Sequence, residues 1–209
     1  MLTESKPRWE RRKEARPKEL LSAALDAFVE RGFAATKLEE VARNAGVSKG
    51  TLYLYFQNKE ELFKAVVRNT IVPNIAQAEK LIAEFDGETK DLFRELILLW
   101  ARQISAVNVA GICKLMFAEV GNFPELAQFY HHEVIQRNEL MIIQLLERGM
   151  LRGEFRQLDL TVTPKIITAP LVMLMLWSQS FCASQTQPLD VDNYINNYVD
   201  TMLAGLLRK

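Results

Sequence analysis

The segment 46–59, GVSKGTLYLYFQNK, restricts the possible folds of this chain more than any other part of it. An apolar helical pattern ends at Ala45, and Gly46 supplies the left-handed turn that commonly follows a helix. Ser48 can cap the next helix, which is short and ends near Phe56. A helix, a tight glycine turn and a short second helix together indicate a helix-turn-helix unit.

Two helices are predicted ahead of this short one. The first begins at Pro17, because proline favours the first turn of a helix, and it ends at Gly32. The second begins with a capping box formed by Thr36 and Glu39 and runs to Ala45. The three helices together form a small head at the start of the chain.

The short helix has one face suited to packing and another suited to recognition. Leu52 and Phe56 lie four residues apart and can pack inward. The outer face and the flanks receive Lys49, Thr51, Tyr53 and Tyr55, while Gly50 allows another molecule to approach the backbone closely. Because the second helix of a helix-turn-helix unit enters the DNA major groove, this arrangement indicates a DNA-binding head.

Helical patterns follow residue 58 almost without a break. They predict helices over 58–85, with a bend near Pro73, and over 89–107, 112–120, 124–152, 160–183 and 191–207. No segment has a convincing strand pattern. We therefore expect an all-α protein of about nine helices, with a head in residues 1–64 and a larger helical body in residues 65–209.

The formal net charge is zero, but the charge is unevenly distributed along the chain. The head carries three more basic than acidic side chains, and the body carries three fewer. Within residues 1–18, seven basic side chains stand against three acidic ones. This basic arm is either a solvated tail or a segment that neutralises DNA phosphates and raises affinity in a salt-dependent way.

The cysteine and histidine patterns favour neither a disulfide framework nor a metal centre. Cys113 and Cys182 lie far apart, and the adjacent His131 and His132 point about 100° apart on a helix. We expect no metal and no cofactor, and a buried structural thiol at Cys113 is favoured over a redox sensor. The most apolar run, 166–181, contains a proline and is too short for a comfortable membrane span. It predicts a buried helix, and the absence of a secretory segment favours the cytoplasm.

The string GFAATKLEEVARNAGVSKGTLYLYFQNKEELF, residues 32–63, resembles the DNA-binding head of the TetR (tetracycline-repressor) family of transcriptional regulators. The Gly-Phe turn, the A-G-V-S-x-G-T-L-Y-x-Y-F core and the following x-K-E-E-L-F agree almost residue for residue with that family's pattern. The resemblance implies a homodimeric, ligand-responsive repressor or activator in which each subunit presents one head to half of a palindromic operator.

The resemblance also implies roles for single residues of the head. Lys49, Thr51 and Tyr53, with Gly50 beside them, correspond to positions facing the groove or the bases, and Thr36, Ser48, Tyr55 and Lys59 correspond to backbone contacts. Packing remains an alternative for Tyr53 and Tyr55. Lys37 lies at a position where members of this family often have a small hydroxyl residue. It is either a phosphate contact or a solvated charge.

Beyond residue 64 the resemblance rests only on helical character and length. It implies that the last two helices form the dimer interface, for which the candidates are Leu171, Met175, Leu176, Tyr194, Tyr198, Met202 and Leu206. A ligand pocket lined by apolar and aromatic groups is expected among the preceding helices, with candidates Trp100, Gln103, Met116, Phe117, Phe129, His132, Met141 and Trp177. Internal core is the alternative for each residue of both sets.

No nucleophile–base arrangement, phosphate loop or metal-ligand spacing indicates an enzyme. We therefore expect a sequence-specific repressor that a small apolar or amphipathic effector releases from a palindromic operator. The alternative is a DNA-binding protein that organises the chromosome and has no effector. In the first case, a ligand in the body could tilt the helix predicted over 58–85 and so change the separation of the two heads.

Overall fold

The computed structural model describes residues 8–104, 107–181 and 189–208, and it describes side chains for residues 16–102, 109–181 and 189–208. Cys182 and the first seven residues lie outside these ranges. The described segments are helical apart from turns and one isolated antiparallel bridge between Phe155 and Leu207. The prediction of an all-α fold is confirmed.

The helices follow one another in a simple order along the chain. They are α1 (Arg8–Ala35), α2 (Leu38–Asn44), α3 (Lys49–Tyr53), α4 (Lys59–Thr70), α5 (Val72–Glu84), α6 (Thr89–Ile104), α7 (Val107–Glu119), α8 (Pro124–Tyr130), a π-helical turn (His131–Ile135), α9 (Gln136–Leu151), α10 (Thr163–Ser180) and α11 (Val191–Leu206). In the described part of the chain these make nine helices when α4–α5 and α8–π–α9 are each counted as one bent helix.

The first helix begins nine residues before the predicted start, at Arg8, so that Pro17 lies inside it. Arginine, glutamate, lysine and alanine dominate the added residues, and all four are good helix formers, whereas proline removes only one backbone hydrogen bond. Gly32 ends the regular part of α1, as predicted, with φ 83° and ψ 168°. Only glycine adopts this conformation without strain.

Three phenylalanines form the core of the head. The rings of Phe28, Phe33 and Phe63 lie 5.3–5.7 Å apart, and Phe63 meets both of the others edge to face. Phe123, from the turn before α8, packs edge to face on Phe33 at 4.7 Å. Aromatic contacts of this geometry add to the stabilisation from buried area, and this one joins the head to the body.

The predicted capping box before α2 is wrong. Lys37 is the N-cap residue, and its side chain makes no capping hydrogen bond. The Thr36 hydroxyl is directed towards α1 instead, where it donates to the carbonyl oxygens of Gly32 at 2.7 Å and Ala27 at 3.1 Å. The bend at Gly32 leaves carbonyl groups without helical partners. Because buried carbonyl groups need a hydrogen-bond donor, the Thr36 hydroxyl bonds to them and does not cap the amide groups of α2.

Two bends shape the body. Ile71 separates α4 from α5, and Pro73 follows as the second residue of α5, where its missing N–H needs no partner, so the predicted bend is confirmed. The π-helical turn inserts one extra residue per turn between α8 and α9. Asn138 donates to the Val134 carbonyl at 2.8 Å and so satisfies a group that the turn displaces.

The last two helices close the body. The predicted start of α10 at residue 160 is three residues early, because Asp159 accepts hydrogen bonds from the amide and hydroxyl of Thr161 and holds a turn there. The expectation that the run 166–181 is a buried helix holds for only one face, since Ile166, Met173 and Phe181 are exposed. Within the described ranges, no helix has the length and apolar content needed to cross a membrane.

Replacing Gly32 with alanine should lower the free energy of unfolding by about 2–3 kcal/mol, because the new side chain enters a glycine-only region of backbone conformation. Its Cβ would also lie 2.9 Å from Glu119 Oε1. Urea unfolding measures this loss. Gly46→Ala is the matched control, because Gly46 also has a positive φ of 66° but no atom within 4 Å of the added carbon. Equal losses in the two variants would show that the contact with Glu119 contributes nothing.

Candidate nucleic-acid interface and internal cavity

The short helix α3 is fixed by its own cap and by one buried side chain. The Ser48 hydroxyl accepts from the Thr51 amide at 3.1 Å, and the two hydroxyl groups lie 2.9 Å apart. Leu52 is fully buried, and Phe56 packs against the same core. The Ser48 cap predicted from sequence is confirmed, and α3 is held with its opposite face in solvent.

The outward face of α3 carries Lys49, Gly50, Tyr53 and Leu54. The Lys49 ammonium lies 5.8 Å from the centre of the Tyr53 ring, one helical turn away. A Cβ on Gly50 would meet only Ser48 Oγ, at 3.8 Å, so nothing within the chain requires glycine there. Tyr55 is half-buried against the core, which favours the packing alternative for that residue.

Leu54 is the residue of this face that sequence analysis missed. Its side chain is 83% exposed, although the residue follows directly on α3. A signal was present in the sequence: at 100° per residue, Leu54 lies far round the helix from Leu52 and cannot share the inward face. Because leucine is apolar and is usually buried, the sequence does not mark it as an exposed residue.

Lys49 is already paired in the free protein. Its ammonium contacts the Glu39 carboxylate of α2, and both side chains are more than half exposed. The hydrogen bond with Glu39 raises the pKa of Lys49, and the same bond lowers the pKa of Glu39. Glu39 therefore neutralises part of the positive charge that Lys49 would offer to a phosphate or a base.

Lys59 and Thr36, which were predicted to contact the DNA backbone, form hydrogen bonds within the head. Lys59 donates to the carbonyl oxygens of Ala34 at 2.9 Å and Thr36 at 3.2 Å, and its ammonium lies 4.7 Å from the centre of the Phe33 ring. Thr36 is 3% exposed and donates to α1. A cation is stabilised at the C-terminal end of a helix, so these side chains cap α1 in the free protein, whereas Lys37 is exposed beside them.

A cavity of about 320 Å³ lies in the body, enclosed by α5, α6, α7, α9, α10 and the π-helical turn. Its wall is mainly aliphatic and aromatic, and it includes Ile75, Ala78, Leu96, Trp100, Val109, Phe117, Val134, Met141, Ile142, Ile167, Leu171 and Met175. Cavities of this size and composition hold small apolar or amphipathic molecules.

The polar side chains of the cavity wall have hydrogen-bond partners within the protein. Three of them donate to the backbone carbonyl group four residues earlier: Asn74, Asn138 and Thr168. Burial raises the pKa of the Cys113 thiol to about 11, while a hydrogen bond with Tyr130 acts in the opposite direction. Burial also raises the pKa of Tyr130. Lys165 donates to Glu139 at 2.6 Å, and both residues line the cavity where α9 and α10 reach solvent. The inner wall is therefore neutral, and the charged groups lie at the opening.

Three of the eight pocket candidates from sequence line this cavity, namely Trp100, Phe117 and Met141. Met116 is buried in the core, Phe129 lies beneath the Arg68 guanidinium at 5.0 Å, His132 is exposed, and Trp177 packs on Phe181 at 5.2 Å. The Gln103 side chain lies outside the described part of the structure. Sequence periodicity identified several of the helices that line the cavity. It did not identify which face of each helix points into the cavity.

The candidates for the dimer interface are placed mainly inside one subunit. Leu171, Met175, Tyr198 and Leu206 are buried, and Leu176, Tyr194 and Met202 are partly buried. The Tyr198 hydroxyl donates to Ile167 O at 2.6 Å, and that of Tyr194 donates to Pro170 O at 3.3 Å. The exposed apolar face of α10 is a different set, which we call the α10 stripe: Ile166, Met173, Trp177 and Phe181. Because α10 is apolar on two sides, sequence alone could not tell which one packs internally.

The seventh helix connects the cavity to the head. Cys113 and Phe117 line the cavity, whereas Gly111 packs so closely on Val29 of α1 that a Cβ there would lie 2.7 Å from it. Glu119, the last residue of α7, accepts from the Ala34 amide at 3.3 Å. A second path runs through α5, which lines the cavity and continues into α4.

The Cys113 thiol makes stability depend on alkaline pH. Its folded pKa of about 11 lies above the ordinary thiol pKa of 9.0, so the folded state loses stability as pH rises between these values. From pH 8 to pH 10, the wild type should lose about 1 kcal/mol more unfolding free energy than Cys113→Ala. Urea unfolding at both pH values measures this. Parallel losses would show that the thiol does not titrate with unfolding.

Comparison with known proteins gives two family matches. Residues 20–66 match the bacterial regulatory proteins of the tetR family, and residues 94–205 match the C-terminal domain of AefR-like transcriptional repressors. The second match alone covers more than half of the chain. The first match contains α2 and α3, and the second contains most of the residues that line the cavity.

Three individual proteins agree with these matches. The uncharacterized HTH-type transcriptional regulator YdeS of Bacillus subtilis is 30% identical over 79% of this chain and 80% of its own length. The fatty acid metabolism regulator protein of the same organism is 34% identical over 94% of this chain and its own full length. The crystal structure of the regulator FadR from Bacillus subtilis in complex with stearoyl-CoA superposes with a TM-score of 0.76 at 22% identity, covering 90% of this chain and 98% of that one.

Proposed function

Because the chain belongs to the tetR family of bacterial regulatory proteins and is a ligand-responsive DNA-binding repressor, we propose how its parts divide this work. Residues 1–64 form the DNA-binding head and residues 65–209 form the ligand-binding and dimerisation body, with α4 spanning the boundary. The chain acts in the cytoplasm as a homodimer on a palindromic operator. One apolar or amphipathic molecule in the cavity releases it.

The DNA contact is assigned to the outward face of α3. Lysine donates to guanine O6 and N7, and threonine and tyrosine add contacts to base edges and phosphates. A Cβ at Gly50 would fit without a clash, so packing within the chain does not require glycine there. We assign to Gly50 the role of letting DNA approach the backbone closely. The exposed Lys37 adds a phosphate contact to this face. The Lys59 ammonium is excluded from the set because it caps α1.

The dimer contact is assigned to the α10 stripe. It presents an unbroken apolar row on the outside of the body, and dimer interfaces are richer in large apolar and aromatic groups than the rest of a surface. A homodimer bound to a palindromic operator must present both heads to the same face of the DNA. The α3 helices must then lie about 34–36 Å apart to enter successive major grooves.

The observation that carries the effector proposal is the cavity itself. Its inner wall is apolar and neutral, so it suits a hydrocarbon chain or ring system, while Lys165 and Glu139 at the opening suit a polar head group. A structural neighbour binds stearoyl-CoA, which combines a long apolar chain with a polar head. We assign an acyl thioester or a similar single-chain amphiphile to this cavity.

Release is assigned to α7 and α5, because both helices form cavity wall and both reach the head. A ligand that prefers a shifted α7 would act on α1 through Gly111 and Glu119, and so change the separation of the α3 helices. It can do so only by the difference in its affinity for the two states. The alternative role in organising the chromosome is not favoured, because the chain belongs to a family of regulatory proteins and one structural neighbour is a transcriptional regulator in complex with stearoyl-CoA.

The proposed function is tested first by selecting genomic DNA fragments with the purified full chain at two salt concentrations. A few palindromic sites should be retained at the higher salt, because base contacts depend on salt less than phosphate contacts do. Sequencing identifies them. Diffuse enrichment that disappears at the higher salt would contradict a sequence-specific repressor.

Replacing Glu39 with glutamine should raise affinity for non-specific DNA by about three- to fivefold, the usual range for an exposed ion pair. The change frees Lys49 for any phosphate, so the ratio of specific to non-specific affinity falls. Fluorescence anisotropy with operator and random duplexes measures both. Glu40→Gln is the matched control, because it removes the same charge from the same helix but releases Arg31 instead. Equal changes in the two variants would mean that only overall charge matters.

Filling the cavity should uncouple the effector from DNA. Ala78 lines the cavity and Ala83 is exposed on the same helix, so Ala78→Leu and Ala83→Leu form a matched pair. With stearoyl-CoA as the probe, Ala78→Leu should need about ten times more ligand to release the operator, because overpacking costs 1–3 kcal/mol. Operator affinity without ligand should stay unchanged in both. Failure of stearoyl-CoA to release the wild type would contradict the assigned ligand class.

A further inference from the structure

Leu54 is an exposed apolar side chain on an otherwise well-ordered backbone. Its amide donates to the carbonyl oxygens of Gly50 and Thr51, both at 3.3 Å, so its position relative to α3 is fixed. The side chain is nevertheless 83% exposed, next to Tyr53 at 43%. A fixed leucine in water loses the stabilisation that burial would give it.

The position of Leu54 is that of a groove-facing residue. On a helix it lies one turn beyond Gly50 and about 100° from Tyr53, whereas Leu52 points to the core. Gly50 carries no side chain, so the part of the α3 face that it shares with Leu54 is where another molecule can come closest. Leu54 stands at the edge of that opening.

The edges of base pairs in the major groove carry donors, acceptors and one apolar group, the C5-methyl of thymine. Lysine, threonine and tyrosine of α3 can serve the polar positions. A threonine methyl can also meet the thymine methyl, but Thr51 is only partly exposed and its hydroxyl lies 2.9 Å from Ser48 Oγ, whereas Leu54 is 83% exposed. We propose that Leu54 reads thymine in each operator half-site by packing against its C5-methyl group. The inference rests on the proposed function, because it assigns to Leu54 one base-specific contact of the proposed DNA interface.

The test uses the full chain and the operator recovered by fragment selection. Each thymine of the operator is replaced in turn by deoxyuridine, symmetrically in both half-sites, which removes only the methyl group. Dissociation constants are measured for the wild type and for Leu54→Ala. At one or two thymine positions the wild type should lose about fourfold in affinity per half-site, the effect of one methyl-sized apolar group, and so about fifteenfold per dimer.

The variant gives the decisive comparison. Leu54→Ala should bind the normal operator about as weakly as the wild type binds the deoxyuridine operator, and it should be insensitive to deoxyuridine at the same positions. Leu151→Ala is the control, because Leu151 is equally exposed, at 87%, but lies at the end of α9 in the body. It should keep the full methyl dependence.

The inference is overturned if no thymine position affects the wild type, or if Leu54→Ala keeps the same methyl dependence. Either result leaves the proposed repressor function intact, because a retained operator already establishes it. If fragment selection yields no operator, the proposed function and this inference fail together. Circular dichroism of both variants confirms that neither change alters the fold.

Discussion

The end of α1 is the joint on which the rest of the structure depends. Gly32 breaks the helix and leaves carbonyl and amide groups without helical partners. Three side chains from different parts of the chain bind these groups: the Thr36 hydroxyl, the Lys59 ammonium and the Glu119 carboxylate. Lys59 begins α4, and Glu119 ends α7. The backbone polar groups at this bend therefore hold the head together and also attach it to the body.

This joint explains how a cavity in the body could act on α3 across several helices. Glu119 and Gly111 of α7 contact α1, while Cys113 and Phe117 of the same helix line the cavity. Helix α1 packs on α2, and α2 holds α3 through the turn at Gly46. Packed helices move as rigid units, so a small displacement of α7 reaches α3 without any change inside the head.

Much of the fold could be predicted from the sequence because it depends on local chemistry. Gly32, Gly46 and Pro73 mark real breaks, and the Ser48 cap lies where its spacing predicts. The contacts of Thr36 and Lys59 could not be predicted, because their partners are carbonyl groups that become available only when α1 bends. The faces of α10 were equally hidden, since a helix that is apolar on two sides has no period that separates cavity, core and interface.

The α3 surface carries little free charge and several neutral groups. This composition affects how well the surface can distinguish one DNA sequence from another. The head carries three more basic than acidic side chains, but the pairing of Glu39 with Lys49 reduces the free positive charge at this face. In the proposed interface, discrimination between sequences depends on contacts of Lys49, Tyr53 and Leu54 with the bases. Because Glu39 partly neutralises Lys49, the attraction of Lys49 to phosphates of any sequence is reduced, whereas its hydrogen bonds to guanine O6 and N7 depend on the base. In the proposed interface, the acidic residue beside α3 therefore lowers affinity for DNA in general and leaves selectivity to the base contacts.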